Sequence, residues 1–395
     1  MTKAIRQHLI DPEICIRCYT CEDACPIDAI THDDNNVVVD AGKCDFTMDC
    51  IAPCPTGAID NWRFVTAAYS LEEQFAWDEL PEQEDLGDDD STLGEAMEDD
   101  IGALIAEAHA GTGGRPVPPA SAASPSINLF SRAHPAVATV QGAYRITDAD
   151  SDSDVRHIIL GFGETSFPIL EGQSVGIVPP GKRDDGRPHD IRLYSVASAR
   201  DGEKRGGNNI ALTVKREPGG LCSNYLCDLE RGDKVDVTGP FGSTFLMPND
   251  PNCNILMICT GTGSAPFRAF TERRRRAMPG ASGGFVMYFG ARSPGQLPYF
   301  GPLKKVPSTL LEQHLVYSRL PDTPKEYVQD RMRRHGDALS ALLRSEKTHI
   351  FICGLKGMET GVDEALADIC RAHGSQWSEL KPTMREQGRY HVETY

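Results

Sequence analysis

Between residues 15 and 30 the chain reads Cys15-x2-Cys18-x2-Cys21-x3-Cys25-Pro26 and continues to Ala29-Ile30, the strongest structural signal in the N-terminal region. Cysteines at three-residue spacing curl the backbone so that their sulfurs converge on one small volume, whereas the fourth cysteine, followed by proline, points toward a neighbouring site. The same template recurs 29 residues later at Cys44, Cys50, Cys54-Pro55 and Ala58-Ile59. The repeat therefore predicts two adjoining metal sites that exchange ligands crosswise.

This run resembles the cysteine pattern of bacterial two-cluster ferredoxins, and the resemblance implies that the region carries single electrons on iron–sulfur clusters. Two other interpretations were weighed. Paired zinc knuckles usually take four ligands in two pairs, which a triple-cysteine run does not offer. A disulfide framework is disfavoured because the N-terminus has no apolar core typical of an export signal.

One ligand position of the repeat is not cysteine, because the residue 29 positions after Cys18 is Thr47. The fourth cysteine of each run is expected to bind the cluster of the other run, which we call the crossing rule. This rule assigns one complete [4Fe-4S] cluster to Cys15, Cys18, Cys21 and Cys54. The second cluster receives only Cys25, Cys44 and Cys50, so it is either a [3Fe-4S] centre or a four-iron centre with an oxygen ligand. Asp45, Asp49, Thr47 and water all remain open as that fourth ligand.

Charge is distributed unevenly along the chain, whose formal net charge is -17. Residues 72–100 hold 14 Asp and Glu and no Lys or Arg, which disfavours nucleic acid as a partner. The run Arg273-Arg274-Arg275-Arg276 is interpreted as a solvated helix face. No run approaches the roughly 18 apolar residues of a membrane span, so we expect a soluble cytoplasmic protein. The six cysteines outside the repeat are expected to be buried thiols.

Composition and hydrophobic pattern divide the chain into four parts: the two-cluster ferredoxin domain at 1–65, an acidic segment and linker at 66–135, a β-barrel domain at 136–250 and an α/β domain at 251–395. In the second part, Leu93, Met97, Ile101, Leu104, Ile105 and Ala108 recur at helical spacing, so a docking helix and a disordered acidic tail are both open. Residues 110–126 are 14 of 17 Gly, Pro, Ala or Ser, which is typical of a linker.

The C-terminal parts show two different strand patterns. Short strands at Ile158–Leu160, Val175–Val178, Ile210–Lys215 and Lys234–Thr238, separated by Gly and Pro, favour an antiparallel barrel. From Asn254 onward, buried strands alternate with helices, which favours a parallel sheet. The predicted fold class is therefore α+β and α/β multidomain: a ferredoxin-like two-cluster domain, an antiparallel β-barrel and a parallel-sheet α/β domain.

Two motifs in these parts suit a dinucleotide and a flavin. In Arg192-Leu193-Tyr194-Ser195, strand alternation places Arg192 and Tyr194 on one face, where a guanidinium suits a pyrophosphate and an aromatic ring suits a flat heterocycle. Gly261-x-Gly263 lies between a strand and a helix, with Pro266 near the first helical turn. Such glycines let the backbone approach a phosphate at the helix N-terminus.

Residues 136–395 closely resemble the plant-type ferredoxin-NADP reductases. The resemblance is carried by the strings Glu171 to Gly176, Arg192 to Ser195, Val214 to Arg216, Cys222 to Leu229, Gly239-Pro240, Gly261 to Arg268, Cys353 to Glu359 and Val392 to Tyr395. It implies that FAD is held by Arg192, Tyr194, Ser195, Lys215 and Ser223, with Tyr194 and Tyr395 on the two faces of the flavin ring. It further implies that Cys353, Glu393 and Ser195 act at the hydride-transfer site.

The same resemblance implies NADPH as the hydride donor. Its dinucleotide is expected at Gly261, Thr262, Gly263, Pro266, Gly354, Leu355 and Met358. Its 2′-phosphate is expected at Ser318, Arg319, Lys325 and Tyr327, where an NAD enzyme would instead place an acid for the ribose hydroxyls. The implied path runs from NADPH to FAD and then, one electron at a time, to the clusters.

The order of ferredoxin domain, acidic tether and reductase resembles the reductase components of benzoyl-CoA 2,3-epoxidase systems. This resemblance implies a separate oxygenase component as electron acceptor in aerobic benzoate degradation. Other interpretations stay open: a reductase for another oxygenase, a general NADPH:ferredoxin oxidoreductase working in either direction, and a non-enzymatic iron–sulfur redox sensor. The intact Cys353, Glu393 and Tyr395 argue against the sensor. A homodimer is possible.

Overall fold

The structure is a computed structural model that describes residues 5–51, 53–59, 61–82, 117–183, 186, 189–299, 303 and 305–394. The chain forms two compact units. The first comprises Met1–Met97 together with Glu203–Gly207 and Tyr299–Pro307, and the second comprises the rest. The candidate helix around residues 93–108 and the terminal Tyr395 lie outside the described residues. Within the described part of the chain, no helix is long and apolar enough to cross a membrane.

Two small antiparallel strand pairs frame the first unit. β1 (Ile5–Leu9) pairs with β4 (Asn61–Val65), and β2 (Ile30–His32) pairs with β3 (Val37–Val39). Two short helices, α1 (Thr20–Asp23) and α2 (Leu71–Phe75), complete the unit's regular structure among the described residues. Its apolar core contains three cysteines, Cys21, Cys50 and Cys54, and the side chains of three more pack against it. Six of the seven cysteines of the repeat therefore belong to this core or pack against it.

The backbone repeats its conformation across the two cysteine runs. Arg17 and Tyr19 have left-handed φ values of 56° and 58°, and their counterparts 29 residues later, Phe46 and Met48, have 63° and 68°. Left-handed backbone costs a non-glycine residue roughly 1–2 kcal/mol. Because it recurs at matching positions of both runs, the two runs share one loop conformation. Thr47 therefore lies in the same backbone setting as Cys18.

The C-terminal end of α2 is satisfied by side chains from two distant segments. Asn36 Nδ2 donates hydrogen bonds to the carbonyls of Gln74, Phe75 and Trp77 at 2.8–3.1 Å. Lys305 Nζ donates to Asn36 Oδ1 and to the Trp77 carbonyl, both at 3.0 Å. Because the last carbonyls of a helix lack intrahelical donors, these bonds stabilise the edge of the first unit.

An antiparallel barrel begins the second unit. Its strands are β5 (Ala136–Arg145), β6 (Val155–Gly161), β7 (Ser174–Ile177), β8 (Arg192–Ser195), β9 (Asn209–Lys215) and β10 (Lys234–Phe241), in the order β8-β7-β10-β5-β6-β9. A bridge between Val196 and Leu212 joins the two ends of this order. Alternating side chains fill the interior, and α3 (Leu221–Cys227) adds Cys222, Leu226 and Cys227 to the core.

A five-stranded parallel sheet forms the remainder of the second unit, in the order β13-β12-β11-β14-β15. Its strands are β11 (Asn254–Thr260), β12 (Phe285–Ala291), β13 (Leu311–Tyr317), β14 (Thr348–Gly354) and β15 (Tyr390–Thr394). Its helices are α4 (Ala265–Ala277), α5 (Val328–Arg334), α6 (Gly336–Leu343), α7 (Lys356–Ala372) and α8 (Trp377–Glu386). The predicted barrel and parallel α/β domain are confirmed, and the carboxyl ends of the parallel strands meet at one edge, where such sheets bind ligands.

The arginine run on α4 is not the solvated face that the sequence suggested. Arg274 is buried: its guanidinium lies 4.2 Å from the centroid of the Phe285 ring and donates to the carbonyls of Gly283 and Pro251 at 2.9 and 3.3 Å. Arg276 pairs with Glu272 and Asp201, both at 3.1 Å. The prediction was wrong because a guanidinium can be buried where carbonyls and an aromatic ring satisfy it.

Candidate active site

A cleft of about 500 Å³ opens where β8 meets the loop before α3, and three of the predicted flavin residues line it: Arg192, Tyr194 and Ser223. Tyr194 also packs against the barrel core, and burial raises the pKa of its phenol. Arg192 is exposed. The cleft thus combines an aromatic face, a cation and a hydroxyl, a set that suits a flavin and its pyrophosphate.

The wall of this cleft is held by hydrogen bonds around the start of α3. Ser223 Oγ accepts from the backbone N–H of Glu217 at 3.2 Å, and Asn224 Nδ2 donates to the Glu217 carbonyl at 3.0 Å. Lys215 forms an ion pair with Glu217, which lines the cleft. Lys215 and Ser195 are not among the residues lining the cleft. Ser195 follows Tyr194 at the end of β8, and its Oγ lies 3.5 Å from Ser174 Oγ on β7.

A row of side chains crosses the parallel sheet at its carboxyl edge. Cys259 on β11 is registered with Cys353 on β14, and Cys353 with Glu393 on β15, so the three lie on one face. Burial raises the pKa of Glu393 to about 8. Burial, and then the neighbouring Glu393, also raise the pKa of the Cys353 thiol well above its usual range. Two of the predicted hydride-transfer residues are therefore neighbours: Cys353 is buried and Glu393 is half-buried, and both pKa values are raised.

Glycine is required where the loop after β11 passes this row. A Cβ on Gly263 would lie 2.2 Å from the carbonyl oxygen of Cys353, and a Cβ on Gly354, whose φ is 145°, would lie 2.6 Å from Thr260 Oγ1. Gly261 has a left-handed φ of 54° and open space beside its Cα. Pro266 follows at the second position of α4. The loop thus presents bare backbone at a helix start, as a phosphate requires.

Thr260 is a polar residue at this edge that the sequence reasoning missed. Its Oγ1 is buried and has no hydrogen-bond partner among the described residues. A buried hydroxyl without a partner is costly, so it is available to a dinucleotide entering beside Gly354. Its position as the last strand residue before Gly261 was the available signal, but Thr is also common in buried strands.

The residues expected at the 2′-phosphate lie between β13 and α5. The backbone N–H groups of Ser318 and Arg319 donate to the carbonyls of Ala291 and Arg292 at 3.0 and 2.7 Å, which fixes the chain as it leaves the sheet. The side chains of Arg319, Lys325 and Tyr327 are exposed. Thr262 is half-buried on the glycine loop, and after β14 Leu355 is exposed whereas Met358 is buried. The set thus offers two exposed cations, Arg319 and Lys325, with the exposed Tyr327 and the half-buried Ser318.

In the first unit, the cysteines group as the crossing rule predicts. Electrostatic interactions link Cys15 with Cys18 and Cys54, and link Cys21 with all three. Cys50 interacts with Cys25 and Cys44, and also with Cys54 of the first group. Burial raises the pKa of Cys15 to about 12 and that of Cys50 to about 11. Clustered cations reverse such shifts and hold thiols as thiolates, so these sulfurs fit iron.

Backbone and side-chain donors lie close to several of these sulfurs. The N–H of Arg17 donates to Cys15 Sγ at 3.4 Å, and that of Ala29 donates to Cys25 Sγ at 3.3 Å. All thirteen cysteines are free, so the structure contains no disulfide framework. In the described residues no three His, Cys, Asp or Glu side chains converge on one ion.

Three family matches cover most of this architecture. Residues 7–55 match a 4Fe-4S dicluster domain, residues 171–245 an oxidoreductase FAD-binding domain and residues 257–364 an oxidoreductase NAD-binding domain. The cofactors predicted from the sequence, namely FAD, a nicotinamide dinucleotide and iron–sulfur clusters, are therefore confirmed at the level of these domains.

The chain is also similar over most of its length to whole proteins. The chain is 36% identical over 289 residues to the ferredoxin--NADP reductase of Thermosynechococcus vestitus, covering 68% of this chain and 75% of that protein. It is 34% identical over 288 residues to the chloroplastic enzyme of Spinacia oleracea, covering 68% of this chain and 78% of that one. The ferredoxin-NADP+ reductase structure from Plasmodium falciparum superposes with a TM-score of 0.55 at 26% identity, covering 68% of this chain and 99% of that chain. On these similarities and on the shared barrel and sheet, the chain belongs to the ferredoxin-NADP reductase family.

Proposed function

We propose that this oxidoreductase takes a hydride from NADPH and delivers its two electrons, one at a time, through its own iron–sulfur clusters to a separate oxygenase. The single observation that carries the proposal is that one chain combines FAD-binding and NAD-binding domains, with Cys353 and Glu393 adjacent at the sheet edge, and a 4Fe-4S dicluster domain. When bound, FAD converts the two-electron chemistry of NADPH into single electrons.

The chain's own residues have defined roles in this proposal. Arg192, Tyr194, Ser195, Lys215 and Ser223 hold the flavin. Cys353 and Ser195 orient the reacting rings. Glu393 has a pKa raised to about 8 by burial, so it carries a proton at neutral pH and can exchange it beside the hydride site. Tyr395, the residue after β15, covers the flavin until nicotinamide replaces it.

NADPH is proposed as the preferred donor over NADH. The support is the group Ser318, Arg319, Lys325 and Tyr327, which offers cations and hydroxyls rather than a carboxylate. Replacing Arg319 with Ala removes a charge-assisted hydrogen bond worth about 1.5–3 kcal/mol. We expect kcat/KM for NADPH to fall about tenfold or more, with kcat/KM for NADH unchanged, in steady-state assays with ferricyanide as acceptor. Equal kcat/KM for the two donors in the native enzyme would contradict the preference.

The acceptor is proposed to be the oxygenase component of a benzoyl-CoA 2,3-epoxidase. The support is the resemblance of the whole domain order, whereas the matched reductases cover 68% of the chain. The alternative is a reductase for another oxygenase or for a free ferredoxin, with the same internal electron path. Cytoplasmic location and a homodimer remain predictions from the sequence.

The decisive experiment is a pull-down with the full chain from benzoate-grown cells, followed by reconstitution with the captured oxygenase. We expect NADPH oxidation that depends on benzoyl-CoA, on the oxygenase and on this chain. Efficient reduction of the clusters by NADPH without any coupling to benzoyl-CoA would leave the reductase but exclude this acceptor. Failure of NADPH to reduce the clusters at all would contradict the proposed electron path itself.

A further inference from the structure

The two cysteine runs form two tips with the same backbone but different surroundings. The first tip, Arg17–Tyr19, and the second tip, Phe46–Met48, share alternating left-handed residues at positions 29 apart. In each, the middle residue stands at a ligand position, Cys18 in one and Thr47 in the other. A difference in exposure between the tips therefore reflects their side chains and neighbours, because the backbone is common to both.

The first tip is packed against the rest of its unit. The Tyr19 ring lies 4.2 Å from the His32 ring on β2, and Arg17 Nη2 donates to the Asp33 carbonyl at 3.3 Å. Both side chains are half-buried. The side chains of the first tip are therefore held by contacts within their own unit.

The second tip presents two large apolar side chains to solvent. Phe46 is 38% exposed and Met48 is 36% exposed, although both stand between the ligand cysteines Cys44 and Cys50. Aromatic residues and Met are enriched in protein interfaces, where Met adapts to irregular surfaces. Left-handed backbone favours Gly or Asn, so two large apolar side chains at such positions are unusual.

Charge around the second tip selects the kind of partner. Phe46 and Met48 are flanked by exposed carboxylates, Asp45 and Asp49, and Asp45 Oδ1 accepts from the Thr47 N–H at 3.3 Å. An apolar pair flanked by acids is complementary to an apolar patch rimmed by Lys and Arg. Such a rim also accelerates encounter between electron-transfer partners at low salt.

We propose that the Phe46–Met48 tip is the surface through which electrons leave the iron–sulfur unit, to an acceptor protein whose contact face is apolar at its centre and basic at its rim. The inference rests on the proposed function and refines it by naming the exit. It makes the three-cysteine site, rather than the complete one, the last station before the acceptor.

Oxidised cytochrome c, a basic one-electron acceptor, is the probe. The balanced reaction is NADPH plus two ferricytochrome c giving NADP⁺, H⁺ and two ferrocytochrome c. The test protein is the full chain with Phe46→Asn and Met48→Asn, because Asn tolerates left-handed backbone. The matched control is Ile5→Thr, which removes another exposed apolar side chain, 46% exposed on β1 of the same unit.

We expect the double variant to lose about tenfold in kcat/KM for cytochrome c, by a similar factor at low and high ionic strength, because Asp45 and Asp49 are unchanged and only charge attraction is screened by salt. Ferricyanide reduction, iron content and the rate at which NADPH reduces the clusters should match the native protein and the Ile5→Thr control. Undiminished cytochrome c reduction would overturn the proposal. Slower reduction of the clusters by NADPH would also overturn it, because the tip would then receive electrons rather than release them. If NADPH does not reduce the clusters of the native chain at all, the result counts instead against the proposed function.

Discussion

The iron–sulfur region and the candidate hydride-transfer site both hold a redox group, but their relation to the apolar core is different. In the first unit the candidate ligands Cys21, Cys50 and Cys54 belong to the apolar core. In the α/β part of the second unit the apolar core packs on a parallel sheet, and Cys353 and Glu393 lie at the carboxyl edge of that sheet. We therefore expect the iron to be needed for folding of the first unit. The cofactors of the second unit should instead enter a site that backbone hydrogen bonds have already formed.

Removing iron ligands should therefore have the largest effect, and only on the first unit. In Cys21→Ala/Cys54→Ala, two core thiols and two ligands of the complete cluster are lost, and small metal-dependent cores rarely fold without their metal. We expect loss of iron and rapid proteolysis within the first unit. NADPH–ferricyanide activity should persist, since the sheet and barrel do not use these residues.

The control for this variant is Cys253→Ala/Cys370→Ala, which removes two buried thiols of the second unit that have no assigned ligand role. It should keep its iron and its protease resistance. If the iron-free variant keeps a protease-resistant first unit, the cysteines are bystanders in its core and the comparison between the two regions fails.

At the hydride site, backbone shape should matter more than any thiol. Gly263→Ala places a Cβ 2.2 Å from the Cys353 carbonyl oxygen, so the loop must move away from the site. Displacements of about 1 Å can cost roughly 100-fold in rate, and we expect a loss of that order in kcat/KM for NADPH. Gly280→Ala, where the added Cβ has no neighbour within 4 Å, is the control. Equal kinetics for the two variants would show that the loop is not held against β14.

A smaller and pH-dependent effect is expected from Glu393. Its folded pKa is raised by burial to about 8 from 4.5, so between these values the folded state retains a proton that the unfolded state has lost. The stability contributed by this group is full below about pH 4.5 and is lost as pH rises toward 8. Glu393→Gln should abolish that decline, measured as Tm against pH.

The same variant tests the role of Glu393 in the reaction. The native kcat/KM for NADPH should fall above about pH 8 as Glu393 loses its proton, while the Gln variant should be slower and flat across this range. A native profile without a fall near pH 8 would mean that the carboxyl is stabilised as an anion by groups at the loaded site.

Sequence spacing predicted the parts of the molecule whose geometry is local. Cysteines three residues apart group together because few backbone shapes connect them, and Gly261-x-Gly263 forms a loop because the strand before it and the helix after it are both strongly patterned. Spacing could not predict that Arg274 is buried, because its ring and carbonyl partners come from separate loops and meet only in the folded sheet. It also could not predict the exposure of Phe46, which depends on how the rest of the unit packs rather than on its neighbours in the chain.

The smallest change tests the comparison inside the iron–sulfur unit, between the complete and the incomplete cysteine group. Thr47 has the backbone setting of Cys18, with left-handed residues on both sides, so Thr47→Cys should place a thiolate at the missing ligand position without rearrangement. The native second site should yield a three-iron centre after oxidation and a four-iron centre when iron and reductant are supplied, because oxygen ligands exchange iron more readily than thiolate. The variant should retain one more iron per chain after oxidation, as counted chemically and by EPR, whereas Thr47→Ser should behave like the native protein. Two equivalent, oxidation-stable four-iron clusters with all-thiolate ligation in the native chain would show that a cysteine from outside the repeat fills the gap, and the asymmetry between the two groups would then be one of sequence alone.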